Sequence, residues 1–336
     1  MTALALLEDT ANGAVRRERV FRDREDFLAQ DDEWLISHFR FPRAILLELC
    51  AELQPFLERD TARNHVLPEH IQVLTTLSFL ATGSFQRELA ARSGLCQSTL
   101  SQAMPAVWDG IIQISPKYIK FPHTAGDQAN TEAEFAVRAC FPNVIRAIDC
   151  THIAIKAPSQ DEIVYGNRKQ FHSINVQNIC DACMQLSNIV ARWPGSTNDS
   201  LILTNSFVGN SLQAGMVPDG WLLGDCGYPL KTWLMTPLTN PQTDQERRYN
   251  DVHSRTQSVV ERTIGMQKGR WRCLDLTRGV LLYRPEKVCH IVTFSTMWHT
   301  GTPSHCQSST SPHQTNQTLD PSIPILPRRP FRPSNM

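Results

Sequence analysis

The hydrophobic period changes once along this chain, near residue 144, and that change bounds the fold. From about 26 to 120 the apolar residues recur at helical spacing: Ile45, Leu46, Leu49 and Leu53, then Ile71, Leu74, Leu77 and Leu80. From 144 to about 275, short apolar runs of strand length alternate with helical stretches. Val144–Ile155 reads as a first strand, and Asn175–Cys183 with Gln185–Trp193 as a hairpin. Asp199–Val208 reads as a helix, Leu222–Asp225 as a short buried strand and Asp251–Lys268 as a longer helix. A helical region followed by a mixed α/β sheet with flanking helices is the expected architecture.

The segments between and beyond are different. Residues 1–25 are charged and poorly patterned and read as a flexible arm; residues 121–143 are turn-rich and read as a linker. Residues 301–336 hold seven of the 21 prolines among many Ser, Thr and Gln, a composition that buries no core and predicts a disordered tail. The expected domains are therefore 26–120 and 144–300.

Within the helical region, 86–104 has the pattern of a helix-turn-helix. Ala90 is small where two helices cross, Gly94 stands at the turn, and Leu95 and Leu100 pin the second helix. Gln97, Ser98, Ser101 and Gln102 would lie on its exposed face, and Pro105 is expected to end it. DNA reading and plain helical packing both remain open for this unit.

Composition narrows the function classes. Net charge is zero, so nucleic-acid contact would need a local basic patch. No run approaches the ~18 apolar residues of a membrane span. The ten cysteines lack a framework spacing, and Cys180 and Cys183 lie in an apolar run that predicts buried reduced thiols. A soluble, intracellular protein with no membrane partner is expected.

Three carboxylates carry the chemistry. Asp149 ends one strand-like run, Asp225 ends another, Trp221-Leu222-Leu223-Gly224-Asp225, and Glu261 lies in the helical run Ser254–Thr263. Acids in apolar surroundings are costly unless they serve a site. Two strand carboxylates and one helix carboxylate suit a divalent-metal phosphoryl-transfer centre, in which Mg²⁺ or Mn²⁺ takes oxygen ligands. Asp149 would bridge two ions, with Asp225 on one and Glu261 on the other. Residues 254, 257, 258, 261, 265 and 268 share one helix face, small and polar around Glu261. Lys156, Arg168, Lys169, Arg262, Lys268 and Arg270 are candidate phosphate contacts. His152, on the face opposite Asp149, reads as a satisfied buried histidine. Asp199, after the Pro194-Gly195-Ser196-Thr197 turn, reads on its residues alone as a helix N-cap.

At these residues the chain resembles the Harbinger (PIF/Harbinger) transposase-derived nuclease family, and its domesticated vertebrate member closely. The similarity runs from about 30 to 292. It is carried by Ala147–Pro158, by Trp193-Pro194-Gly195-Ser196 with Asp199, and by Trp221–Asp225 with Thr232–Leu238. Val259–Thr263 and Arg272-Cys273-Leu274-Asp275 complete it. The resemblance implies an RNase H-like DDE catalytic core and a metal-dependent endonuclease that does not transpose. It implies metal-ligand roles for Asp149, Asp225 and Glu261, and raises Asp199 to a fourth. It also implies DNA as substrate, a Myb/SANT-like DNA-binding partner, and a nuclear location that becomes cytoplasmic without that partner. Two other readings stay open: a domesticated DNA- or partner-binding protein that no longer cuts, and an unrelated acidic hydrolase or structural α/β domain. After Val292 the family pattern is lost, as an alternative exon or a shifted reading frame would produce, and a domain without the family's closing helix would be less stable or inactive.

Overall fold

A computed structural model describes residues 26–58, 67–121, 133–137, 141–216 and 220–297. The arm at 1–25, the tail at 301–336 and most of the 121–143 segment lie outside the described residues.

Five helices come first: α1 (Asp32–Phe39), α2 (Arg43–Leu57), α3 (Glu69–Thr82), α4 (Gln86–Arg92) and α5 (Gln97–Ile114). Asp31 caps α1 by accepting from the Trp34 N–H at 2.8 Å. α3 is buried nearly all round, so it forms the centre of the bundle. Its Thr75 and Thr76 hydroxyls donate to the Ile71 and Gln72 carbonyls, which removes the penalty of burying them. The turn between α4 and α5 needs Gly94, whose φ of 64° suits a residue without Cβ. Gln97, Ser98, Ser101 and Gln102 are exposed on α5.

Pro105 does not end α5, contrary to the sequence expectation. The carbonyl it leaves without a donor belongs to Ser101, on the exposed side. Leu100 and Met104 before it, and Val107, Trp108 and Ile111 after it, continue one buried stripe. Burial of that stripe, roughly 1.5–3 kcal/mol for each of several large side chains, outweighs the ~3 kcal/mol that an interior proline costs through its lost bond and ring clash.

The second part is a five-stranded sheet. Its strands are β1 (Val144–Ala154), β2 (Ser173–Cys180), β3 (Leu186–Pro194), β4 (Trp221–Leu223) and β5 (Leu234–Met235), in the order β3-β2-β1-β4-β5. β2 is antiparallel to β1 and β3; β4 is parallel to β1 and β5. The remaining helices are α6 (Glu162–Tyr165), α7 (Asp199–Thr204), α8 (Phe207–Gln213), α9 (Asp244–Arg270) and α10 (Pro285–Met297). The single helix expected over Asp199–Val208 is thus two, because the Ser206 hydroxyl caps α8 through the Gly209 N–H at 2.9 Å. Among the described residues no helix is long and apolar enough to cross a membrane.

Helices cover both faces of the sheet. Val259, Val260 and Ile264 of α9 pack on Val144, Ala147, Cys180 and Leu223. Leu203, Val208 and Leu212 of α7 and α8 pack on Ile145, Ile148, Ile179 and Leu222. A third cluster joins the N-terminal helices to Ile153, Ile174 and Ala191 of the sheet and to Val288, Ile291 and Phe294 of α10. A capping box starts α9: the Glu246 N–H donates to the Thr243 hydroxyl at 3.2 Å and the Thr243 N–H to the Glu246 carboxylate at 2.9 Å.

The closing helix is present: Thr293–Met297, where the family pattern is lost, continues α10. Phe294 and Ser295 are fully buried there, and the Gln267 amide donates to Ser295 and Thr296 at 3.1 Å each. Its periodic apolar positions, not the family motif, decide that it is helical. Cys180 is a buried free thiol as expected, but Cys183 stands in the β2–β3 turn and is disulfide-bonded.

Candidate active site

The sheet is incomplete where Asp149 stands. β4 pairs with β1 only from Val144 to Ala147, and the next neighbour on that side is Leu281, bridged to Ile155. Between them the edge of β1 has no strand beside it, so its backbone groups need other partners. The Cys150 N–H donates to the carboxylate of Asp149 at 2.7 Å. The Ile148 carbonyl accepts from the Gln257 side chain at 2.8 Å, and the His152 carbonyl from Lys268 Nζ at 3.1 Å. Asp149 is therefore in the middle of β1, not at the end of a strand, and it lines the crevice that β4 opens on leaving. Crevices at the carboxyl ends of diverging parallel strands are where α/β sheets place their sites.

Asp225, by contrast, is not in a strand. It lies two residues past β4, in a turn where its carboxylate accepts from the Gly227 N–H at 2.9 Å. Asp199 reaches the same place from the start of α7. It is not the N-cap: Asn198 takes that role by accepting from the Ser200 N–H at 2.9 Å. Asp199 is thereby left to accept from Asn175 of β2 at 2.7 Å. A Cβ on Gly227 would stand 3.0 Å from Asp225 Oδ1 and 3.3 Å from Asp199 Oδ2, so the two carboxylates flank this glycine and a side chain here would press on both. Glu261 is exposed on α9, which packs on the face of the sheet opposite α7 and α8.

Electrostatics ties the four together. Burial raises the Asp149 carboxyl to about 7; the Cys150 N–H opposes the rise, and the charges of Asp225, Asp199 and Glu261 add to it. Among the described residues no three His, Cys, Asp or Glu side chains stand close enough to hold one ion as placed. The cluster is thus gathered but not closed.

The basic candidates divide. Lys156, Arg168, Lys169 and Arg262 are exposed. Lys268 is turned inward, with Nζ donating to the Thr151 hydroxyl at 2.7 Å; burial first, then nearby Lys169, lowers its pKa. Arg270 donates to the Arg40 carbonyl and lies over the Phe41 ring at 4.9 Å, which ties α9 to the N-terminal helices. These two cations are spent on the fold, a distinction that charge alone does not carry. His152 is half-buried and hydrogen-bonded to Ser173 at 3.0 Å, as expected.

Sequence reasoning passed over Asn175 and Gln257. Asn175 was detectable as a polar residue inside an apolar strand run. Gln257 was already on the small polar face around Glu261 but was given no role of its own; it is buried.

Residues 148–299 match the family described as DDE superfamily endonuclease. The chain is 39% identical over 271 residues to the Homo sapiens protein named "Putative nuclease HARBI1", covering 80% of this chain and 77% of that one. The Bos taurus protein of that name is also 39% identical over 271 residues, with the same coverage. The Xenopus laevis protein is 33% identical over 268 residues, again covering 80% and 77%. No solved structure matches the chain. A family match that begins within one residue of Asp149 and takes in Asp199, Asp225 and Glu261 agrees with the acidic crevice, and the chain belongs to the DDE superfamily of endonucleases.

Proposed function

We propose that the chain is a metal-dependent endonuclease that hydrolyses DNA phosphodiester bonds and does not transpose. Asp149, Asp225 and Glu261 would hold Mg²⁺ or Mn²⁺, with Asp199 as a fourth ligand. The observation that carries this reading is the half-buried Asp149 carboxyl, which feels the charges of Asp225 beyond β4, Asp199 of α7 and Glu261 of α9. Their donor atoms are all hard oxygens, the set that these cations prefer. The order β3-β2-β1-β4-β5, with only β2 reversed, supports an RNase H-like core.

When bound, the cations would activate water and neutralise charge on the phosphate. The chain's own residues set the rest. Asn175 orients Asp199, and the Gly227 amide orients Asp225. The exposed Arg168, Lys169, Lys156 and Arg262 would grip backbone phosphates around the crevice. Gln97, Ser98 and Ser101, exposed on α5, would add DNA contacts, and a Myb/SANT-like partner would supply targeting and nuclear residence.

One observation favours a second reading, a binding protein that no longer cuts: the carboxylates do not close on one point as placed. A supercoiled-plasmid nicking assay with Mg²⁺ or Mn²⁺ separates the two. Nicking by the wild type that is lost in Asp149→Ala and Glu261→Gln supports the nuclease. DNA binding without nicking supports the silent protein.

A further inference from the structure

The acidic crevice needs Glu261 to be held at the level of Asp149, yet the two stand on different elements. Side chains bridge α9 to the open edge of β1. Gln257 bonds the Ile148 carbonyl, one residue before Asp149, and Lys268 bonds Thr151 and the His152 carbonyl, two and three residues after it. Gln257, Glu261 and Lys268 share one face of α9.

The lengths agree. The step from Gln257 to Lys268 spans about 16 Å of helix at 1.5 Å per residue. The step from Ile148 to His152 spans about 13 Å of strand at 3.3 Å per residue, and the long lysine side chain takes up the difference. Glu261 then falls about 6 Å beyond Gln257 along the helix, near the level of Asp149 and Cys150. Gln257 and Lys268 thus stand in for the backbone donors of the missing strand.

We propose that Gln257 and Lys268 are positioning residues: a two-point clamp that docks α9 along the strandless edge of β1 and fixes Glu261 opposite Asp149. This rests on the reading of the acidic cluster as a metal site, and its test separates the two ideas. Gln257→Leu, Lys268→Met, the conservative Lys268→Arg and Glu261→Gln are compared in the full chain. The first readout, hydrogen exchange, needs no metal. Peptides spanning Val259–Lys268 are expected to exchange about tenfold faster in Gln257→Leu and in Lys268→Met. Lys268→Arg and Glu261→Gln should stay near wild type. Unchanged exchange in both clamp variants overturns the proposal. Each site is tested alone, so a variant that fails to fold leaves the other to decide.

The second readout is Mn²⁺ affinity by titration calorimetry. Each clamp variant should bind about tenfold more weakly, as for residues that orient ligands. Gln257→Leu should cost nothing further in a Glu261→Gln background, because it acts through Glu261. Equal losses in both backgrounds would mean a general effect on the fold and overturn the positioning role. If the wild type binds no Mn²⁺, the metal reading fails while the exchange measurement still decides the clamp.

Discussion

Replacing Asp149 by Asn should stabilise the protein in the absence of metal while abolishing its response to metal. The side chain's carboxyl is raised from 3.8 to about 7 by burial and by its acidic neighbours. In the folded state it therefore holds its proton at pH values where the unfolded chain has lost it. The stabilising contribution is complete below the unfolded value near 4 and is lost as pH rises through about 7. At pH 8 the ionised carboxylate opposes folding by a ceiling of about 4 kcal/mol, at ~1.4 kcal/mol per pH unit. Residual contact with water and local relaxation reduce this to about 2 kcal/mol. Asn keeps an acceptor for the Cys150 N–H, bound at 2.7 Å in the wild type, and removes the charge.

The assay is thermal unfolding with chelator at pH 8 and pH 5. At about 2–4 °C per kcal/mol for a chain of this size, Asp149→Asn should raise Tm by roughly 4–8 °C at pH 8 and by about 2–3 °C at pH 5, where the unfolded chain has already lost this proton but the folded one keeps it. Added Mg²⁺ or Mn²⁺ should stabilise the wild type and leave the variant unmoved. A variant less stable than wild type at pH 8 without metal, or one stabilised equally by metal, would refute the reasoning.

Other substitutions test other parts of the account. Gly227→Ala places a Cβ 3.0 Å from Asp225 Oδ1 and 3.3 Å from Asp199 Oδ2. It should cut Mn²⁺ affinity by about tenfold, measured calorimetrically, with the circular dichroism spectrum unchanged. Phe294→Ala empties a fully buried position in α10 and should cost about 3–5 kcal/mol in urea unfolding. Neutralising Arg168 and Lys169 together, both exposed, should flatten the dependence of log K on log salt for duplex DNA by about 1.8, at ~0.9 per phosphate contact.

What the sequence disclosed follows from what a one-dimensional pattern can hold. The change of period separates helices from sheet, and an acid in an apolar strand run stands out at Asp149 because burial there has a price. The polar face of α9 was legible, since helical spacing put Gln257, Glu261 and Lys268 together. Its direction was not: the same face can meet water or a strand edge, and only the early departure of β4 decides between them. Asp199 was misread because two adjacent residues, Asn198 and Asp199, both make good caps, and local geometry chose the first. At Pro105 a local rule lost to a buried stripe running through it.

The same structural fault explains both the site and its burden. A β4 that paired along all of β1 would satisfy the backbone there and leave no crevice for carboxylates. By stopping at Ala147 it opens the crevice and leaves polar groups to be met by side chains. Some are met, by Gln257, Lys268 and Asp149 itself. Beneath them β2 carries Asn175, Gln177 and Asn178, all buried, and Asn178 is the cross-strand neighbour of Asp149. An apolar strand would hold the sheet together better at those positions. Asn175 shows what the polar residue does there, because its amide donates to both Asp199 and the Thr197 carbonyl and so fixes the loop that delivers the fourth carboxylate. Stability is given up along one short stretch of β1 and β2, and that stretch carries Asp149 and the asparagine that holds Asp199.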